Sequence, residues 1–381
     1  MHYFLIAGEA SGDLHAAHLI RSIRNKDKDA VITFLGGDMM AAAAGVDPII
    51  HYRDMAFMGF TEVIKNIGKV TSNLRRAKEA LAMSRPDALI LIDYPSFNLK
   101  LAAKAYSLGI PVYYYISPKI WAWKKWRITD IKKYVRRVLS ILPFEPAFYR
   151  ANGFDATYVG NPSVGEVDAD LRTVAPREDF LRKWKLRDRP LVALMPGSRI
   201  AEIRSNLPVM RLAVDRFPQY RGIIIGAPGV DDSIYAAMGG IKMPVIREDC
   251  AAHVLAHCRA ALVTSGTATL ETALVGIPQV ACYRSNGAKI TFDIMHSFIK
   301  LDYVTLPNLI AGRGIIPEML IHYCTPDLVA DKLAPLLREG SPEREAQIEG
   351  YKDMRSILGT ADAADGAAKI IVSDLRTLRR K

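Results

Sequence analysis

Four loops carry the residue types that chemistry needs. The first, Gly8-Glu9-Ala10-Ser11-Gly12-Asp13, follows an apolar run and opens a helical stretch, where a glycine-rich turn can bring backbone N–H groups and a helix N-terminus to an anion. It lacks the GxGxxG spacing. Its two acids argue against a bare phosphate cradle and for hydroxyl recognition or proton transfer; the plainer reading makes Asp13 an N-cap. The second, Leu91-Ile92-Asp93-Tyr94-Pro95-Ser96-Phe97-Asn98, sets Asp93 just past an apolar strand, with Pro95 forcing a turn. A carboxylate there, partly desolvated by Tyr94 and Phe97, is a candidate general base, because burial raises its pKa towards neutrality. The plainer alternative is a capping Asp for the helix that starts near Ser96.

The other two loops read as anion binders. In Leu194-Met195-Pro196-Gly197-Ser198-Arg199, Gly197 permits close backbone approach, Ser198 and the helix start offer donors, and Arg199 can grip a diphosphate through two parallel hydrogen bonds. Ser265-Gly266-Thr267-Ala268-Thr269-Leu270-Glu271 repeats the logic, with small donors at a strand-to-helix junction. Glu271 can accept both hydroxyls of a ribose, or simply stabilise the helix dipole. Together the two loops point to a nucleotide. The histidines, among them His15, His51, His253, His257 and His296, reach no metal-ligand spacing, and no metal is expected.

Elements must hold these loops. Apolar runs at Tyr3–Ala7, Val31–Leu35, Ala88–Ile92, Pro111–Ile116 and Val138–Leu142 alternate with helical spacing, and the pattern restarts at Leu191–Met195 and continues through Gly222–Ile225, Pro244–Ile246, Ala260–Thr264 and Gln279–Cys282. Strands that are apolar throughout indicate parallel sheets covered on both faces. A chain of 381 residues exceeds the roughly 250–300 at which one core splits, so two doubly wound α/β domains are expected, with ligands in a cleft beyond the strand ends. The expected division is 1–165, 166–340, and helices at 341–381 packing back on the first domain. Cys250, Cys258, Cys282 and Cys324 form no CxxC pair, which fits a reducing cytoplasm; neither a signal peptide nor a membrane span is expected.

The formal charge of +11 asks for an anionic partner. Residues 119–137 hold eight basic side chains against one acid, interleaved with Trp121, Trp123 and Trp126. Lys124, Lys125 and Arg127 beside those indoles suit an anionic membrane surface, single-stranded nucleic acid, or a solvated helix with core tryptophans. A second surface, Met55 to Phe60, offers Met58 and Phe60 for acyl chains or for the core.

Eight ordered motifs carry a resemblance over nearly the whole chain. They are GEASGD, DYPSFN, YYISPKIWAWKKWR, LPFE (Leu142–Glu145), VGNP (Val159–Pro162), PGSR, SGTATLE and DYVTLPNLIAG (Asp302–Gly312), and they resemble the lipid-A-disaccharide synthase family. The resemblance implies a GT-B glycosyltransferase, two Rossmann-like domains facing across a cleft, acting without a cofactor. It would transfer 2,3-diacylglucosamine from UDP-2,3-diacylglucosamine to 2,3-diacylglucosamine 1-phosphate (lipid X) with inversion, at the cytoplasmic face of an anionic inner membrane. It implies Asp93 as base, Glu9, Ser11 and Asp13 in the active-site loop, and Arg199, Ser265, Thr267, Glu271 and Asn308 at the UDP site or cleft. Many relatives carry a second Asp where this chain has Ser96, so the base is placed on Asp93 alone. No nucleic-acid partner is expected, and a homodimer stays open. Two rivals are another UDP-N-acetylglucosamine-using enzyme, an epimerase or a transferase, and a basic nucleic-acid-binding protein.

Overall fold

Tyr3, Leu5 and Ala7 point to one side of the first strand, Phe4 and Ile6 to the other, and all are fully buried. A strand with two dry faces needs helices on both, and parallel neighbours joined by helical crossovers supply them. The computed structural model describes residues 1–55, 67–122, 125–238, 243–248, 250–264, 266–284 and 302–380. It divides into two units, Met1–Pro162 with Thr360–Lys381, and Ser163–Gly359.

The first unit contains β1 (His2–Ala7), β2 (Val31–Leu35), β3 (Ala88–Ile92), β4 (Val112–Tyr115), β5 (Arg137–Ser140) and β6 (Ala156–Tyr158). They form one parallel sheet in the order β2-β1-β3-β4-β5-β6. The chain leaves β1 towards β2 and returns to the opposite flank at β3, so crossovers diverge beyond the carboxyl ends of β1 and β3. Helices Ala10–Lys26 and Ala363–Arg379 contribute to the core on one face; Ile67–Ser84 and Pro95–Ser107 contribute to the other. The second unit repeats the plan with β7 (Leu191–Met195), β8 (Arg221–Ile225), β9 (Val245–Ile246), β10 (Cys258–Thr264), β11 (Gln279–Tyr283) and β12 (Glu318–Leu320). Its order, β12-β11-β10-β7-β8-β9, puts the corresponding switch between β7 and β10.

The structure corrects the outline in three places. Edge strands β6 and β12, three residues each, were not expected, because runs that short show no periodicity. The division falls after Pro162 rather than after residue 165. Of the expected 341–381 segment, helix Pro342–Leu358 stays with the second unit, because its buried Gln347 and Tyr351 satisfy Gln279 at the start of β11. Only the final helix joins the first unit. There Asp374 accepts from Tyr113 and Arg136, each at 2.6 Å, and from Arg137 at 3.2 Å. Burial alone would raise the Asp374 pKa, but these donors hold its carboxyl well below the usual range.

Candidate active site

Asp93 stands immediately past β3, at the first switch. Asp93 and Tyr94 take φ of 42° and 45°, and Ile116 past β4 takes 59°, the left-handed region that side chains avoid at roughly 1–3 kcal/mol each. The surroundings hold this bend. The Asp93 N–H donates to the Ile116 carbonyl at 3.1 Å, while the Asp93 carbonyl accepts from Asn98 Nδ2 and from the Tyr114 hydroxyl, each at 2.7 Å. Burial first, and then the Glu9 carboxylate, push the Asp93 carboxyl up to about 6, against Lys119, the Tyr94 N–H and Arg127, which favour the anion. A carboxyl so poised serves as a base near neutral pH.

Strand register explains why Glu9 is there, since Ala7 pairs with Ile92 and the loops beyond them become neighbours. Gly8 is required at this contact. A Cβ on it would lie 2.3 Å from the Tyr94 ring. Ser11 is exposed and donates to Glu9 Oε1 at 2.8 Å. Asp13, expected at the chemistry or as a cap, does another job: it is 3% exposed and accepts the N–H groups of Gly37, Met39 and Met40 at 2.7, 3.0 and 3.2 Å. It ties the turn after β1 to the turn after β2. Gly12 packs against Ala7 and Ile92.

The tryptophan-rich stretch splits between inside and outside. Trp121 is 8% exposed and donates to Glu145 Oε1 at 3.0 Å; Arg127, also 8% exposed, donates to Ser96 Oγ at 2.7 Å. Neither can face a bilayer, which corrects their assignment to the surface. Lys125 and Trp126 are exposed, whereas Arg136 and Arg137 are committed to Asp374. Glu145, from the LPFE motif, received no role from its sequence. It is 2% exposed, burial pushes it up to about 7 against the Trp121 bond and Lys119, and it anchors the segment after β4. Its signal is its position just past β5.

The second switch is open. Gly197 has φ of 122°, which favours glycine, and a Cβ there would lie 2.6 Å from Glu202 Oε2. Glu202 accepts the N–H groups of Ser198 at 3.2 Å and Arg199 at 3.4 Å and pairs with the Arg199 guanidinium at 3.2 Å. The capping carboxylate therefore takes the Ser198 N–H expected to meet an anion, and the exposed Arg199 guanidinium remains at the surface. Across the switch, Gly266 (φ 143°) and Thr267 are exposed at the start of helix Thr267–Val275, with Glu271 half-buried on it. Fully buried Asn206, which its sequence did not single out, joins the loops: Nδ2 donates to the Pro196 carbonyl at 3.2 Å and Thr264 Oγ1 at 3.1 Å, and Oδ1 accepts from Arg284 N at 2.7 Å. Asn308, expected at the ligand, is 1% exposed, and its amide holds Ile315, Ile316 and Glu318. Met58, Phe60, Trp123, Lys124 and Ser265 lie outside the described residues. Among the described residues, no helix is long and apolar enough to cross a membrane.

Residues 3–368 match the family model described as lipid-A-disaccharide synthetase. A lipid-A-disaccharide synthase of Myxococcus xanthus is 40% identical over 97% of this chain and 96% of its own, and one of Syntrophus aciditrophicus is 37% identical over 96% and 95%. Among solved structures, a UDP-GlcNAc 2-epimerase of Neisseria meningitidis bound to UDP-GlcNAc superposes over 99% of this chain and 100% of its own, at 12% identity and a TM-score of 0.66. The glycotransferase of kitacinnamycin covers 98% of both chains at 15% identity and a TM-score of 0.59. The solved structures share the two-sheet α/β plan, and the much closer sequence relatives separate this chain from the epimerases: it belongs to the lipid-A-disaccharide synthase family of glycosyltransferases.

Proposed function

We propose that the chain transfers 2,3-diacylglucosamine from UDP-2,3-diacylglucosamine to 2,3-diacylglucosamine 1-phosphate, giving the β-1,6 disaccharide 1-phosphate and UDP. The observation that carries this is Asp93, half-buried on a strained turn, its carboxyl pushed up to about 6 by desolvation and by Glu9, in a chain of this family. Asp93 takes the proton from the acceptor 6-hydroxyl; the oxygen attacks donor C1 from the face opposite UDP, and the C1–O bond to the diphosphate breaks. Arg199 and the start of helix Thr267–Val275 meet the negative charge that gathers on UDP, and Glu271 takes the ribose. Glu9 keeps the Asp93 carboxyl basic. Ser265 joins the donor loop.

The same reading assigns the protein to the anionic cytoplasmic face of the inner membrane, with Lys124, Lys125, Trp123 and Trp126 as docking residues and Met58 and Phe60 as acyl-chain residues. Trp126 is 64% exposed, unusual for an indole and suited to headgroup depth. Co-sedimentation with anionic vesicles should weaken with salt and on Lys125→Glu. The main test is turnover of both acylated substrates in detergent micelles with EDTA, for wild type and Asp93→Asn. Disaccharide from the wild type alone supports the reading; full activity in Asp93→Asn overturns it.

A further inference from the structure

Arg127 is a withdrawn cation with no carboxylate of the described residues in ion-pair contact. It is the sole Lys or Arg among the buried side chains of the described residues, and its guanidinium makes one hydrogen bond, to a neutral hydroxyl. No carboxylate of the described residues lies within ion-pairing distance of 4.0 Å. Arg136, by contrast, is more exposed and has Asp374 at 2.6 Å. A guanidinium taken from water without an anion is unfavourable, so such a group marks a place where an anion is to arrive. The place is reachable: Ser96, its partner, is exposed, and so is Lys119. Arg127 is tied at 2.7 Å to Ser96, three residues past Asp93 in the turn and helix start that carry the base, and both Lys119 and Arg127 favour the Asp93 anion.

We propose that Arg127, Lys119 and the Ser96 hydroxyl form a receptor for a phosphate monoester, that of the acceptor sugar, and so hold the acceptor beside Asp93. The assignment rests on the acceptor named above. The flat guanidinium fork matches two phosphate oxygens, Lys119 adds a point charge, and the Ser96 hydroxyl, which accepts from Arg127, keeps its own proton to donate. Two cations match a phosphate dianion. A Ser rather than an Asp at position 96 is what leaves the charge available.

Calorimetric titration of the full chain with glucosamine 1-phosphate and with glucosamine tests this. The phosphorylated sugar should bind about tenfold more tightly or better. Arg127→Met and Ser96→Asp should each erase that preference, the latter by placing a carboxylate on the guanidinium at an exposed position, while Ser96→Ala keeps it. UDP affinity in the same preparations reports that the fold is intact, and Ser96→Asp decides if Arg127→Met does not fold. Equal binding of the two sugars by wild type overturns the proposal. So does a preference that survives in either charge variant, or displacement of glucosamine 1-phosphate by UDP. A wild type that binds glucosamine 1-phosphate through Arg127 yet makes no disaccharide would sink the acceptor reading and leave the receptor standing. Disaccharide formation indifferent to the acceptor phosphate would do the reverse.

Discussion

In the first unit the turn beyond the switch strand is bent into the left-handed region and half-buried; in the second the corresponding turn is made by a glycine with positive φ and ends in the exposed Ser198 and Arg199. Each is held by a fully buried asparagine from the helix that follows it, Asn98 in one and Asn206 in the other. What they hold differs. Asn98 fixes the backbone under a carboxyl that burial has moved towards neutrality, a requirement for proton transfer. Asn206 fixes loops whose outward groups are a guanidinium and a helix start, a requirement for binding charge. On the proposed function, one topological device serves two chemistries, and the side chains at the strand ends decide which.

The sharpest way to break this comparison is Asp93→Asn, expected to lower kcat by about a thousandfold while leaving UDP affinity unchanged. A fall in UDP affinity of the same size would show that the two switches do not divide the work. Wild-type kcat/KM should also fall as pH drops through about 6, because the base must be ionised. Asn98→Ala comes next. Releasing the strained turn should displace the base and reduce kcat by about a hundredfold, with UDP binding as the control for folding. Asn206→Ala should do the opposite, weakening UDP about tenfold while the pH limb stays in place. The smallest effect belongs to Glu9→Gln. Removing the neighbouring negative charge lowers the Asp93 pKa, so the acid limb of kcat/KM should move to lower pH; an unmoved limb would mean that Glu9 does not act on Asp93.

The central strands were legible because each is a run of apolar residues between helical stretches, and both sheets bury them on two faces. β6 and β12 were not, since a three-residue edge strand is specified by its neighbour rather than by its own pattern. Asp93 was legible from its place after β3, and its raised pKa from the aromatic residues beside it. The hydrogen-bond partners of Asp13 and Asn308 were not legible, for a common reason. Polar residue type and motif position say that a group makes hydrogen bonds, and only the fold says with whom. The charge of residues 119–137 misled in the same way, because Trp121, Arg127, Arg136 and Arg137 are engaged with Glu145, Ser96 and Asp374.

By itself the sequence determined the class of fold, the two phases of strand and helix, the family, and the four loops where chemistry could reside, because these are properties of local pattern and order. The tertiary structure decided which loops became neighbours. The pairing of Ala7 with Ile92 brings Glu9 to Asp93, a separation of more than eighty residues that no local pattern encodes. It also decided the electrostatics: the same carboxylate titrates in the ordinary range when solvated and near 6 when buried beside another, and the same arginine is a surface charge or an anion receptor according to what folds over it.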